Sequence, residues 1–338
     1  MKVYAGIDLH SDNVVLGLTG EKDNILFNKR LPNDLNLILG ALRPHQEDIV
    51  GVVVESTYNW YWLVDGLMDA GYRVHLANTA AIVQYEGIKY TDDTLDVLWL
   101  AKLLRLELLP EGYIYPKEER SVRDLLRKRS QLVRQRTANL LSIQNLVARN
   151  CGHSLSSNQV RKLDFDAVDK LMGNEHRALA VKTNLMVMHC LDEQIANLEK
   201  VVKTHIQLRP EFKPLLTVNG IGEILGLTIM LETGDIRRFQ HVGNYSSYCR
   251  CVGSIKLTNR KRKGSGNTKN GNRYLAWAFI EAANFAVRYC PQIKRYYQRK
   301  RAKTNGIVAI KTVAHKLARA CYYILRDQVP FDINRTFV

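Results

Sequence analysis

Short apolar segments separated by polar turns dominate the first part of the chain. The segments at residues 3–8, 13–19 and 24–30 are apolar or alternate with polar positions, and short polar turns join them. Runs of this length that are rich in Val and Ile are typical of β-strands, so the pattern predicts a three-stranded antiparallel meander. Two further apolar runs, at residues 50–54 and 73–77, predict two more strands.

Helical periodicity fills the spaces between the later strands. Helices are predicted at about residues 33–43, at about 58–70 with Gly71 as the C-terminal cap, and from Asp93 onward. Strands and helices together give the order β-β-β-α-β-α-β-α, which is that of the ribonuclease-H-like α/β fold. A fold alone does not determine a function, so the function has to be argued from the side chains.

The pattern then changes to long helical repeats. Between residues 119 and 150 an apolar residue recurs at every seventh position, at Leu126, Val133, Leu140 and Val147. A second long helical stretch covers about residues 175–207. The two stretches predict a mainly α-helical coiled-coil arm. One interpretation is an antiparallel hairpin that packs only on itself, the other is a dimerising arm whose arginine face follows a phosphate backbone, and we expect both to hold in part.

The last third of the chain combines a glycine turn with a basic loop. Residues 214–235 hold Asn219-Gly220-Ile221-Gly222 between helical segments, which predicts a helix-hairpin-helix whose backbone N–H groups bind a phosphate. Residues 254–273 form a Gly/Asn/Ser-rich loop with many cations, which suits closure around phosphates. Helices are predicted at 273–289 and about 306–326, with another basic stretch between them.

Four carboxylates are the candidate catalytic residues. Asp8 and Glu55 each close a predicted strand, whereas Asp93 and Asp96 lie three positions apart on one face of a predicted helix. Acids that converge at the edge of an open sheet repel one another unless a cation neutralises them, and an all-oxygen site suits Mg²⁺ or Mn²⁺. Two such metals are a common device in phosphodiester chemistry. Each acid could instead be a helix cap or a turn residue, and Asp92 competes with Asp93.

Composition narrows the class of partner. The chain of 338 residues has a formal net charge of +16, which indicates a polyanion, with nucleic acid first and an anionic membrane second. No apolar run approaches the length of a membrane span, and the chain enters its first strand without a signal peptide. The six cysteines lack zinc spacing and are expected to be reduced thiols, which predicts a cytoplasmic protein.

An ordered set of motifs that extends over nearly the whole chain resembles a known family. The motifs are Gly6-Ile7-Asp8, Val54-Glu55-Ser56-Thr57, Lys89-x-Thr91-x-Asp93-x-x-Asp96, the Arg-rich helix from Leu126 to Asn145, Asn219-Gly220-Ile221-Gly222, and Thr268-Lys269-x-Gly271-Asn272-Arg273-Tyr274-Leu275 with Glu281-Ala282-Ala283. Together they resemble the DEDD transposases. These are relatives of the Piv/MooV invertases and act as bridge-RNA-guided recombinases of bacterial insertion sequences.

The resemblance implies a fold and an activity. Residues 1–112 would form a RuvC-type catalytic domain whose four acids hold Mg²⁺, residues 113–208 a coiled-coil arm, and residues 209–338 a transposase domain with a helix-hairpin-helix and a serine-bearing loop. Strand exchange would proceed through a covalent phosphoserine, while loops of a guide RNA select the donor and target DNA. Homodimers would assemble into a homotetramer on two duplexes, in the nucleoid of a bacterial cell.

The nucleophile departs from the family pattern. The family places its serine about ten residues before Thr268, and that position here is Thr258. Ser254 is the nearest hydroxyl upstream and the preferred candidate, because the extra methyl group of a threonine crowds an in-line displacement. Thr258 is the second candidate, and an impaired copy of the enzyme is a third interpretation. Either hydroxyl could instead cap a loop.

Cations and glycines on two segments are the predicted nucleic-acid contacts. Those on the arm are Arg127, Arg129, Arg134 and Arg136. Those nearer the C-terminus are Gly220, Gly222, Lys256, Arg260, Lys261, Arg262, Lys263, Lys269 and Arg273.

Two other classes of function fit part of the sequence. A Mg²⁺-dependent nuclease that resembles a junction resolvase would need only the four acids and a water molecule, but would have no use for the hydroxyl-bearing basic loop. A non-catalytic nucleic-acid-binding protein would gain nothing from four acids beside phosphates. A covalent protein–DNA adduct is expected of the recombinase alone.

Overall fold

A five-stranded mixed sheet forms the centre of the N-terminal part. The computed structural model describes residues 1–82, 92–206, 210–253, 256–264 and 270–337, which divide into two compact units, Met1–Lys117 and Glu118–Val338. The strands are β1 (Val3–Leu9), β2 (Asn13–Gly20), β3 (Ile25–Pro32), β4 (Ile49–Glu55) and β5 (Val74–Ala77). Their order across the sheet is β3-β2-β1-β4-β5, with β1 antiparallel to β2 and parallel to β4. The predicted meander and the two later strands are confirmed.

Three helices complete the first unit. They are α1 (Leu35–Leu42), α2 (Tyr61–Asp69) and α3 (Asp93–Arg105), so the predicted order of elements is confirmed within the described residues. Gly71 follows the last turn of α2 with a positive φ of 87°, a conformation that costs glycine little.

The two faces of the sheet pack against different partners. Val3, Ala5 and Ile7 of β1 join the larger hydrophobic cluster of this unit, which includes residues of α1 and α2. Side chains alternate along a strand, so Gly6 and Asp8 face the opposite side, where α3 contacts β1, β2 and β4. A Cβ atom at Gly6 would lie 2.0 Å from the backbone oxygen of Val97, so only glycine lets α3 approach β1 this closely. The first turn of α3 therefore lies beside the end of β1.

Two long helices begin the second unit. They are α4 (Lys117–Cys151) and α7 (Glu175–Ile206), joined by the short helices α5 (Ser157–Arg161) and α6 (Phe165–Met172). Arg129 pairs with Glu199 at 2.7 Å, and Arg136 pairs with Asp192 at 2.5 Å, so residue numbers rise on α4 as they fall on α7. The two helices thus run antiparallel as a hairpin, while a coiled coil and the boundary at residue 208 remain predictions.

The rest of the second unit is a helical cluster. Its elements are α8 (Phe212–Leu215), α9 (Glu223–Thr233), α10 (Val242–Tyr248), β6 (Lys256–Thr258), β7 (Lys261–Gly264), α11 (Arg273–Tyr289), α12 (Pro291–Lys303), α13 (Gly306–Asp327) and α14 (Ile333–Thr336). Helices α11 and α13 contact each other and supply much of the largest hydrophobic cluster. No helix in the described ranges has both the length and the apolar character that crossing a membrane demands.

The glycine turn and the basic loop differ from expectation in detail. A Cβ atom at Gly220 would lie 2.2 Å from the backbone oxygen of Ala282, so this glycine allows close packing on α11. Helix α8 has only four residues, and a helix-hairpin-helix remains a prediction. The basic loop contains a β-hairpin that sequence reasoning missed, since Lys and Asn are poor strand formers. Its turn residues, Asn259 and Arg260, both have positive φ, which suits a two-residue hairpin turn.

Candidate active site

Asp8 and Glu55 lie side by side at the ends of two parallel strands. Ile7 of β1 is in register with Val54 of β4, so the next residue on each strand reaches the same edge of the sheet. Asp8 is buried, and its carboxylate is hydrogen-bonded to the carboxyl group of Glu55. Burial, together with the neighbouring Asp8, raises the pKa of Glu55 to about 8. Glu55 therefore favours its protonated form at neutral pH.

The first turn of α3 supplies two further acids, and the structure separates them from Asp92. Asp92 is the exposed N-cap residue, and its carboxylate accepts a hydrogen bond of 2.7 Å from the backbone N–H of Leu95. Asp96 lies toward the strand acids, and burial and the charges of Asp8 and Asp93 raise its pKa. Asp92 thus acts as the cap, leaving Asp93 and Asp96 for the acidic site.

Two basic groups adjoin Asp93. The guanidinium group of Arg30, on β3, contacts the carboxylate of Asp93, and it lowers the pKa of this acid together with His10. The His10 Nε2 atom lies 3.3 Å from a carboxylate oxygen of Asp8 and 3.3 Å from one of Asp93. Neither His10 nor Arg30 was among the candidate catalytic residues named from the sequence. The only signal for His10 was its position two residues after Asp8.

Asparagine side chains fix the loop that carries His10. The backbone carbonyl of His10 accepts hydrogen bonds from Asn33 Nδ2 at 3.2 Å and from Asn59 Nδ2 at 2.9 Å. The hydroxyl group of Thr57, which follows β4, in turn donates to Asn59 Oδ1 at 2.9 Å. The segment after Glu55 and the segment after Asp8 are therefore tied together, which holds the two strand acids in one arrangement.

The four acids fit a hard divalent cation. Carboxylate oxygens are the ligands that Mg²⁺ and Mn²⁺ prefer. Burial and neighbouring negative charges raise the pKa values of Glu55 and Asp96, and a bound cation would neutralise those charges. Ligand atoms of Asp8, His10 and Asp93 all lie within 4.8 Å of one another. The predicted convergence of acids at the sheet edge is thus present in the geometry, while the identity of a metal remains a prediction.

The candidate nucleophiles lie in the second unit. Ser254 is outside the described residues, as is Lys269. Thr258 is exposed at the end of β6, directly before the hairpin turn. The cations Arg260, Lys261 and Lys263 of this hairpin are also exposed, and the backbones of Lys256 and Arg262 lie in its two strands.

Three of the four predicted arginines on α4 are engaged within the chain. Arg127 makes two hydrogen bonds, of 2.6 and 2.8 Å, to the buried carboxylate of Glu232 and lies over the ring of Tyr274. Glu232 also accepts a hydrogen bond of 2.7 Å from Asn272, whose side chain caps α11. Arg129 and Arg136 pair with α7, whereas Arg134 is exposed.

The remaining predicted contacts lie at the starts of two helices. Arg273 begins α11 and donates a hydrogen bond of 3.0 Å to the hydroxyl group of Tyr274. Gly222 is the N-cap of α9, and a Cβ atom there would meet open space. The role of all these residues in binding nucleic acid remains a prediction.

Two family models match most of the chain. Residues 5–150 match a DEDD transposase family of IS110 type, described as "Transposase", and residues 213–298 match the "Transposase IS116/IS110/IS902 family". The first range contains the four acids, and the second contains the hairpin with Thr258.

Individual relatives point the same way. The chain is 24% identical over 277 residues to a "Probable family 20 transposase" of Pseudomonas aeruginosa. The matched region covers 78% of this chain and 80% of the relative. The chain is also 24% identical over 179 residues to the "Transposase for insertion sequence element IS1111A" of Coxiella burnetii. That match covers 51% of this chain and about half of the relative, 48% of its length.

Proposed function

The chain belongs to the DEDD transposases of insertion sequences, and from this premise we propose that it is an RNA-guided DNA recombinase. In this proposal it exchanges strands between a donor and a target duplex through a covalent phosphoserine, with Mg²⁺ or Mn²⁺ bound by the four acids. The observation that carries the proposal is the convergence of Asp8, Glu55 and Asp96 at one sheet edge, where burial and the charges of neighbouring acids raise the pKa values of Glu55 and Asp96.

Each acid has a defined part in the proposed site. Asp8 and Glu55, on neighbouring strands, and Asp93 and Asp96, on α3, would hold the cation, while Arg30 and His10 keep Asp93 ionised. A bound divalent cation would stabilise the negative charge that develops on the phosphate in the transition state. The fixed loop after β1 keeps these ligands in place before substrate binds, which lowers the cost of organising them during the reaction.

The proposed chemistry requires no further reactant. The hydroxyl oxygen of Ser254, or of Thr258, attacks a DNA phosphorus, a new P–O bond forms, and the bond to the leaving deoxyribose oxygen breaks. The hydroxyl proton leaves the nucleophile, and the departing oxygen acquires a proton. Attack by a hydroxyl group of the second DNA then reverses the step and releases the protein. Because the bond energy is retained in the covalent intermediate, strands can be exchanged without a nucleotide cofactor.

The proposal extends to partners and assembly. A guide RNA would select both DNA sites by base pairing, which relieves the protein of reading sequence and leaves it to bind backbones. The acids and the candidate hydroxyls belong to different units of the chain, so a homodimer or homotetramer could complete each active site from two protomers. Such an arrangement would prevent cleavage before the two DNAs are brought together.

A recombination assay tests this function. Purified protein is incubated with Mg²⁺, matched RNA and two DNA sites, and joined products are counted for the wild type, Asp8→Asn and the exposed-acid control Glu47→Gln. Wild type and control are expected to give products that require both RNA and divalent cation, whereas Asp8→Asn gives none. Mg²⁺-dependent nicks without joined products would instead favour the hydrolytic nuclease.

A further inference from the structure

A long segment near the C-terminus carries positive charge without any acid. Between Glu281 and Asp327 the sequence contains eleven lysines and arginines and no aspartate or glutamate. A net charge of +16 is therefore not spread evenly over the chain. A folded segment that carries only positive charges creates a local positive potential, which attracts polyanions.

Helix α12 concentrates this charge on its exposed surface. The helix has 13 residues, of which six are cations, namely Lys294, Arg295, Arg299, Lys300, Arg301 and Lys303, and all six are exposed. Among the described residues, none of the six forms an ion pair with an acid. Ile293 and Tyr296 are the buried residues that attach the helix to its neighbours.

The cations are crowded against further positive charge on α13. Lys316 on α13 has its pKa lowered by burial and by the charges of Arg319 and Lys300. Like charges that are close together on a protein surface repel one another, and a bound polyanion lowers the free energy by relieving this repulsion.

We propose that the exposed face of α12 binds the two backbones of duplex DNA across a major groove. The inference rests on the proposed function only in taking DNA as the partner. On a helical projection, Lys294, Arg295 and Arg301 lie opposite the seam of Ile293 and Tyr296. Lys294 and Arg301 are separated by about 10 Å along the axis, which is near the groove width of about 12 Å.

The composition of this face favours a duplex over single-stranded nucleic acid. Proteins that bind single strands stack bases on exposed aromatic rings, but Tyr296 of α12 is buried and Tyr297 is half-buried. The major groove of an RNA duplex is too narrow to admit a helix, whereas that of B-form DNA admits one. Gln298, exposed between the cations, adds an amide that can bind a base edge or a phosphate.

A matched pair of triple variants tests the proposal. In the first, Lys294, Arg295 and Arg301 are replaced by glutamine, which keeps helix propensity. In the control, the exposed Arg161, Lys162 and Lys170 are replaced by glutamine. The control loses the same number of positive charges, but from a region where Asp164, Asp166 and Asp169 also lie. Because this region carries charges of both signs, the control reports the effect of a lower net charge alone.

Binding is measured by fluorescence anisotropy with the full chain, in EDTA so that no cleavage occurs. The probes are a labelled 30-base-pair DNA duplex of arbitrary sequence, the matching single strand and an RNA duplex, each titrated over a range of salt concentrations. Loss of three phosphate contacts is expected to weaken binding to the DNA duplex by about 10- to 100-fold. The slope of log K against log salt concentration is expected to become less steep by about 2 to 3. The control is expected to stay within about twofold of wild type. Thermal melting of both variants checks that they fold.

Three results would overturn the proposal. They are equal affinity of the α12 variant and the control for duplex DNA, an unchanged salt dependence of the α12 variant, or a loss confined to the RNA duplex or the single strand. These readouts do not involve strand exchange. If the α12 variant loses DNA affinity but the wild type yields no joined products, only the proposed function is contradicted. If the wild type yields joined products but the α12 variant binds DNA as well as the wild type does, only this inference is contradicted.

Discussion

At the scale of single residues, the raised pKa of Glu55 makes the stability of the fold depend on pH. The pKa of Glu55 in the folded chain is about 8, above the ordinary value of 4.5, so the proton stabilises the folded state. That contribution is complete below about pH 4.5 and is lost as the pH rises toward 8. Asp96 shifts in the same direction, while Asp93 shifts in the opposite direction and is already ionised at neutral pH.

Glu55→Gln is therefore expected to weaken the pH dependence of folding. In EDTA, the melting temperature of the wild type should fall between pH 6 and pH 9, and that of Glu55→Gln should fall less. Added Mg²⁺ should raise the melting temperature of the wild type at pH 9 and have little effect on the variant. The exposed-acid variant Glu47→Gln should behave as wild type. A Glu55→Gln curve parallel to that of the wild type would show that Glu55 does not titrate with a raised pKa.

Neighbouring aspartates at the start of α3 give a second residue-scale prediction. Asp93→Asn removes a charge from the acidic site and is expected to lower Mg²⁺ affinity and recombination by at least about tenfold. Asp92→Asn should leave both near wild type, because asparagine also caps helices well. Calorimetric titration with Mg²⁺ and counting of joined products provide the two readouts. The reverse ranking of the two variants would assign the ligand to Asp92.

At the scale of elements, the position of α3 depends on one glycine. Gly6→Ala would bring a methyl group against the backbone of Val97, so α3 must move away from β1 and carry Asp93 and Asp96 with it. We expect a loss of about 1 to 3 kcal/mol in the free energy of unfolding and a larger loss of activity. Gly40→Ala is the control, since Gly40 lies in α1 with nothing within 4 Å, and should stabilise the chain slightly. Denaturant unfolding measures both variants, and equal stability of the two would disprove this role of Gly6.

Arg127 links helix α4 to the helical cluster through the buried carboxylate of Glu232. Arg127→Gln would remove two hydrogen bonds from the buried carboxylate of Glu232 and leave the one from Asn272, and is expected to cost about 2 to 3 kcal/mol in unfolding free energy. The exposed Arg134 provides the control, and Arg134→Gln should change stability by less than about 0.5 kcal/mol. If Arg127→Gln lowers DNA affinity without lowering stability, Arg127 contacts nucleic acid as the sequence suggested.

The sequence predicted the order of the elements well because periodicity reports local geometry. Helix α11 begins and ends at the predicted residues, and the strands of the sheet differ by one or two residues at most. The β6–β7 hairpin was missed, since its turn is formed by Asn259 and Arg260 and its strands are polar. The short helices α5 and α6 were also missed, because they lie inside a segment that breaks the heptad pattern.

At the scale of the whole molecule, the acids were predictable and their neighbours were not. Strand ends and an i, i+3 spacing are visible in the sequence, so Asp8, Glu55, Asp93 and Asp96 could be named. Arg30 reaches Asp93 from the edge strand β3, a contact that depends on strand order. The partner of Arg127 lies about a hundred positions away in the sequence, so spacing could not reveal that this arginine is paired within the chain.

In the proposed function, strand exchange passes through a covalent bond between the chain and DNA. Its most direct test is to trap the reaction with Mg²⁺, guide RNA and labelled DNA, resolve it on a denaturing gel, and identify the modified peptide by mass spectrometry. We expect a protein–DNA adduct in which DNA is joined to Ser254 or Thr258, and which Asp8→Asn does not form. Asp8-dependent nicks without any adduct would contradict it and leave a hydrolytic nuclease.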